Sequence, residues 1–155
     1  MTGLENALRE KRSDSFVLLH LANRRFALPA KVVAELAPPV RLHSFPHTSP
    51  LLAGVIVRRG HILPVYDAGR ALSGKSSIAH RFYLVARRQF GAASEMSAIP
   101  VDGECELVTS EMHPRADDAP PYICGEIVAG GESIGVLDIE ALVQEHAQTQ
   151  AEAAR

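Results

Sequence analysis

The stretch GVIVRRGHILPVYDAGRAL, Gly54 to Leu72, decides how this 155-residue chain folds, because the chain carries it twice. At an offset of 71 residues it lies, without a gap, over GEIVAGGESIGVLDIEALV, Gly125 to Val143. Gly54, Ile56, Val57, Gly60, Val65 and Asp67 return as Gly125, Ile127, Val128, Gly131, Val136 and Asp138. The register also holds upstream, where Ala27, Pro29, Glu35 and Leu36 return as Ala98, Pro100, Glu106 and Leu107. Two separate blocks in one register point to an internal duplication, and a self-similar chain has self-similar structure. The copies differ at one place that matters chemically: Arg58 and Arg59 stand over Ala129 and Gly130. Shared positions therefore read as architecture, and the two arginines as a candidate for function.

Short apolar runs rich in Val and Ile, broken by Gly, Pro or Asn, recur from Phe16 to Leu137 and predict a β-rich barrel or sandwich. The runs place strands at 16–21, 25–28, 33–37, 54–57 and 61–66, then at 81–86, 94–100, 105–109, 122–129 and 133–137. Arg58-Arg59-Gly60 and Gly130-Gly131-Glu132 supply the glycine that hairpin turns favour for positive φ. Asp67 and Asp138 follow each hairpin as helix N-caps. After Asp138, Ile139, Leu142 and Val143 have helical spacing, with His146 one turn on, so the C-terminal helix is expected to pack through one face. Residues 73–77, SGKSS, read as the linker between halves, and 38–50 and 112–121 as proline-interrupted loops. The expected organisation is a single domain over 14–147, with one barrel from 14–76 and a second, with the helix, from 80–147. Residues 1–13 and 148–155 are expected to be flexible.

Composition limits the function. An apolar fraction of 46% suffices for a core, and a net charge of −2 argues against a general basic footprint for nucleic acid. No apolar run approaches the roughly 20 residues of a membrane helix, and the charged N-terminus lacks a signal-peptide core, so a soluble, cytoplasmic protein without membrane insertion is expected. Cys105 and Cys124, the only cysteines, show no ligand spacing and read as reduced thiols.

Candidate chemistry is sparse. His43 and His47 have the spacing of a helical metal pair, but Pro46 lies between them and no acidic third ligand is near. Gly69 to Ser76, GRALSGKS, formally satisfies the GxxxxGK[ST] phosphate-loop pattern. A working loop of that kind follows a buried strand and opens a helix at its Lys-Ser, whereas here residues 68–72 are themselves the better helix. Asp117 and Asp118 read as solvated loop acids. No cofactor, metal or catalytic constellation is expected. The feature left over is Glu35 on a strand and the arginines of the hairpin, since guanidinium grips a carboxylate through two parallel hydrogen bonds and, beside apolar residues, makes a binding hot spot.

At these residues the chain resembles the CheW-like family, the adaptors and kinase domains of bacterial chemotaxis signalling. The resemblance rests on FALPAKVVAEL, on Pro50 to Leu72, on AIPVDGECELV and on PYICGEIVAGGESIGVLDIEAL, and it spans 14–145. It implies two pseudo-symmetric SH3-like five-stranded β-barrels with a short C-terminal helix, and a non-enzymatic coupler of a chemoreceptor's cytoplasmic tip to the regulatory domain of a CheA-type histidine kinase. It also implies that Glu35, Gly54 and Arg59-Gly60 lie on or beside the receptor-binding groove. The expected site is therefore a Glu35–Arg59 ion pair flanked by Val33, Ile56 and Val57, with Arg58 and Gly60 in the turn. The family's asparagine is Val57 here, its usual apolar residue is Arg58, and Ala68 stands where a leucine is usual. These departures alter the receptor-facing surface and fit a paralogue serving another array, such as one controlling type IV pili. The alternative reading is a small-ligand or nucleotide-binding enzyme using Gly69 to Ser76. A third is a structural barrel that self-associates.

Overall fold

A computed structural model describes residues 14–74, 82–90 and 92–145. Ten strands run in chain order: β1 Asp14–Leu21, β2 Arg24–Pro29, β3 Val33–Ala37, β4 Leu52–Arg58, β5 His61–Tyr66, β6 Phe82–Phe90, β7 Ala93–Val101, β8 Glu106–Ser110, β9 Ile123–Ala129 and β10 Glu132–Leu137. A short helix, Ala68–Ser73, follows β5, and helical residues 139–145 follow β10. The ten strands expected from the sequence are all present, in two five-stranded sheets.

The sheets do not follow the halves of the sequence. Barrel I has the order β3-β6-β7-β5-β4 and barrel II the order β8-β1-β2-β10-β9. Each barrel thus takes two strands from the other half: β6 and β7 complete barrel I, and β1 and β2 complete barrel II. The expected division into barrels 14–76 and 80–147 is corrected accordingly. The physical reason lies in β1, whose run FVLLHL is apolar on both faces. Phe16 and Leu18 fill the interior of barrel II. Leu19 and Leu21, of opposite parity, enter a second core between the barrels with Phe26, Leu28, Leu84, Ala86, Ile99 and Val101. A strand wet on one face alternates apolar and polar residues, whereas one buried on both is continuously apolar and needs partners on each side. Within a 14–76 barrel, half of β1 would face water.

The exchange is symmetric. β10 pairs in parallel with β2 at Val136↔Ala27, and β5 with β7 at Val65↔Ala98, at the 71-residue offset. The helix junctions repeat too. Asp67 N–H donates to Leu51 O and Asp138 N–H to Tyr122 O, each at 2.8 Å, and the carboxylates accept from Arg70 N–H and Ala141 N–H, each at 3.1 Å. Ala68 packs into the inter-barrel core, and Ile139 and Leu142 do so with Val143 against them, as the helical spacing predicted. In β1 and β6 the offset becomes 67: Phe16 pairs with Pro29 as Tyr83 pairs with Pro100. The β6–β7 hairpin is four residues longer than β1–β2, so β6 runs past Ala86, where the sequence reading ended it, to Phe90. Arg88 lies on that extension, its side chain only 13% exposed, donating through Nε to Glu140 at 2.6 Å and through Nη1 to Tyr66 OH at 2.8 Å. It ties the C-terminal helix to β5.

Both motif glycines are packing residues. A Cβ on Gly54, at φ 151°, would lie 2.4 Å from His43 O, where the 38–50 loop crosses and pairs with Val55. A Cβ on Gly125 would meet Met112 at 2.9 Å in the equivalent crossing. Gly60, at φ 79° in a hairpin turn, faces open space. Gly54→Ala therefore carries both strain and overlap and is expected to destabilise by roughly 2–5 kcal/mol, against about 1–2 kcal/mol for Gly60→Ala. Chemical denaturation of the two variants checks this order.

Candidate functional site

The β4–β5 hairpin closes on Arg59 and Gly60 at φ 52° and 79°, both left-handed, between the paired residues Arg58 and His61. Such a turn suits the right-handed twist of the flanking strands. In the matching β9–β10 turn, glycines fill both positions, at φ 59° and 79°. Barrel I accepts the cost of a left-handed side chain that barrel II avoids.

Strand parity decides which arginine meets Glu35. On β4, Gly54 and Ile56 point inward and Val57 outward. Arg58 continues the inward face at the strand's end. On β3, Ala37 is buried and Glu35 shares its parity, while Ala34 and Leu36 point outward. Arg58 and Glu35 therefore converge at the mouth of the barrel, bridging the edge strands β4 and β3. Arg58 Nε donates to Oε1 at 2.9 Å and Nη2 to Oε2 at 3.4 Å, with the side chains 24% and 23% exposed. Arg59 Nη2 also reaches Oε2, at 3.2 Å, but its side chain is 73% exposed. Arg58 is thus the main partner, not the expected Arg59, and a bidentate pair of this kind is the stronger geometry. The hydrogen bond from Arg58, helped by that from Arg59 and opposed by desolvation, holds the Glu35 carboxyl below its ordinary 4.5; the same bond raises Arg58.

The remaining expected residues divide between core and surface. Ile56 is fully buried in barrel I and Gly54 lies beneath His43, so neither can touch a partner. Val33 is half-buried against the inter-barrel core. Val57 is 52% exposed, and its cross-strand neighbour Ile62, which the sequence reading missed, is 71% exposed. Ile62 and the three charged residues line a groove of about 430 Å³ with His61, Pro64, Glu95 and Met96. Period-2 counting from Ile56 and Ala37 would have selected Arg58, and the hairpin register would have selected Ile62 as Val57's neighbour.

The same outward positions are exposed on barrel II. Leu107 and Val128, the offset partners of Leu36 and Val57, are 68% and 54% exposed. There the seam between edge strands is joined by Ser110 Oγ donating to Val128 O at 3.2 Å, and Glu106 is exposed, with Ala129 in place of Arg58. Each barrel thus presents an outward apolar seam, and one of the two is charged.

No nucleotide or metal geometry emerges among the described residues. Gly69 is buried inside the first helix and Gly74, at φ 78°, caps its C-terminus, so a helix ends where a phosphate loop would open one. Lys75 and Ser76 lie outside the described residues, as does His146. No group of three or more His, Cys, Asp or Glu side chains could hold a metal among them, and none of their helices is long and apolar enough to cross a membrane. Cys105 and Cys124 are free thiols, each pushed up by burial.

Residues 15–147 match the CheW-like domain family. The chain is 26% identical over 144 residues to protein FrzA of Myxococcus xanthus, covering 89% of this chain and 90% of that protein. Its fold is similar to that of the scaffolding protein TtCheW from Thermoanaerobacter tengcongensis, with a TM-score of 0.67 at 18% identity, over 81% of this chain and 88% of the other.

The depressed Glu35 titration fixes a pH window. A carboxyl held below its unfolded value contributes stability that is fully present above that value and is lost as pH falls through the folded one. The melting-temperature gap between the wild type and Glu35→Gln is expected to be constant above about pH 5 and to narrow progressively below 4.5. A thermal-melt series from pH 7 to pH 3 reads it directly.

Proposed function

The chain belongs to the CheW-like domain family, and on that premise we propose that it is a non-enzymatic adaptor coupling a chemoreceptor's cytoplasmic tip to the regulatory domain of a CheA-type histidine kinase. The observation that carries the proposal is the recurrence of exposed apolar residues at offset positions on the edge strands, Leu36 and Val57 on barrel I and Leu107 and Val128 on barrel II. A coupler needs two surfaces that can be occupied together, and a duplicated barrel supplies one on each copy. Exposed apolar residues at symmetry-related positions, on opposite copies of the repeat, are what such a molecule keeps at its surface while its cores are closed.

The receptor is assigned to barrel I, beside Glu35 and Arg59, following the family resemblance. The kinase takes the remaining seam. Binding at edge seams, without a deep enclosed pocket, fits affinities near micromolar, about −8 kcal/mol. Holding both partners at once raises their effective concentration for each other and selects among kinase conformations, which requires no chemistry from the adaptor. The proposal places the protein in the cytoplasm, with no nucleic acid partner and no insertion into the membrane. The array it serves is proposed to be an alternative chemosensory system, such as one driving type IV pili, because Val57 and Arg58 depart from the family's receptor-facing pattern.

Co-purification with a receptor tip and the kinase regulatory domain tests the two-seam arrangement. Val57→Glu and Leu107→Glu replace outward side chains and are expected to leave the melting temperature nearly unchanged. Each is expected to lose one partner and keep the other. Loss of both partners by one variant, or of neither by both, contradicts the assignment.

A further inference from the structure

Glu35 is offered two guanidinium groups, one reaching both of its oxygens and the other sharing Oε2. Arg58 engages both oxygens from an inward-facing, largely covered position. Arg59 adds a single contact at 3.2 Å while its side chain remains 73% exposed. It does so from a left-handed backbone conformation that the second copy of the hairpin gives to Gly130. Redundancy, exposure and backbone cost meet in one residue, and a residue held at such a cost without a structural need is a candidate for function. The surroundings define what it would bind. Val57 and Ile62 form an exposed apolar pair just before and after the turn. Glu95 lines the same groove from β7 and disfavours a second carboxylate there, which confines an incoming acid to the turn.

We propose that Arg58 has taken over the Glu35 clamp and that Arg59, which adds only one contact to it, is thereby available to recognise a carboxylate on the docking partner, an acidic side chain of the receptor tip whose apolar neighbour covers Val57 and Ile62. The assignment rests on the adaptor reading, since it takes the occupant to be a receptor tip. Arg59 sets partner choice: a tip lacking an acid at that position gains nothing from the guanidinium, which stays on Glu35, and one carrying a lysine there is repelled.

The test is calorimetric titration of the purified chain with a cytoplasmic-tip fragment of a chemoreceptor from the same organism, at low and high salt. Arg59→Gly is expected to weaken binding by roughly tenfold and to flatten its salt dependence, with a melting temperature no lower than the wild type's. Arg58→Leu keeps Arg59 but draws it onto Glu35, so binding is expected to weaken as well. Adding Glu35→Gln to Arg58→Leu frees Arg59 again and is expected to restore binding. Wild-type affinity for Arg59→Gly alongside lost binding for Val57→Glu overturns the role of Arg59 and leaves the docking surface standing. Unchanged binding for both Arg59→Gly and Val57→Glu, or no binding of the wild type to the tip, overturns the barrel I receptor surface itself.

Discussion

Everything in this fold depends on four strands that are buried on both faces. β1, β2, β6 and β7 each send alternate side chains into a barrel interior and into the core between barrels. That demand cannot be met within either half of the sequence, so each half lends a hairpin to the other. The repeat and its exchange are one solution to a single problem: a chain without tryptophan and with 5% aromatics must gather its buried area from Val, Leu, Ile and Ala. Sharing a third core lets those small side chains bury apolar area on both sides of a strand.

Closing the centre in this way pushes the single-faced strands outward. β3 and β4 become the free edges of barrel I, and β8 and β9 those of barrel II. Edge strands expose backbone hydrogen-bonding groups and invite association, which natural proteins blunt or use. Here the seams are bridged, by Glu35 and Arg58 in one barrel and by Ser110 and the Val128 carbonyl in the other. The outward apolar residues beside them remain uncovered. The proposed docking surface is thus a by-product of where the core had to be, and the charged clamp marks the barrel in which the symmetry is broken.

Much of this was legible in the sequence, and the failures have identifiable causes. The ten strands, both aspartate caps and the packed face of the C-terminal helix follow from period and turn chemistry, and all are present. The halves were misassigned because local pattern says which faces of a strand are buried but not against whom. β6 runs beyond the expected 81–86 because the apolar run ends at Ala86, while Arg88 is held by contacts distant in sequence, to Tyr66 and Glu140. The first strand's place in the repeat was hidden by a four-residue change in hairpin length. At the candidate site, Glu35 and the arginine-bearing turn were found by comparing the copies, yet the pairing was assigned to Arg59 by resemblance where strand parity selects Arg58. Ile56, expected as a contact, is buried by its inward parity, and Ile62, absent from the expected site, stands beside Val57 by the hairpin register.

The division of labour between the two arginines is the claim on which the account turns, and double-mutant cycles of folding stability measure it most directly. Denaturation of Glu35→Gln, Arg58→Leu, Arg59→Gly and the two doubles that include Glu35→Gln gives one coupling energy for each pair. A clear favourable coupling between Glu35 and Arg58, with little between Glu35 and Arg59, is the predicted result. The reverse order would contradict it, restoring Arg59 as the structural partner and committing it to Glu35 in place of a docking carboxylate.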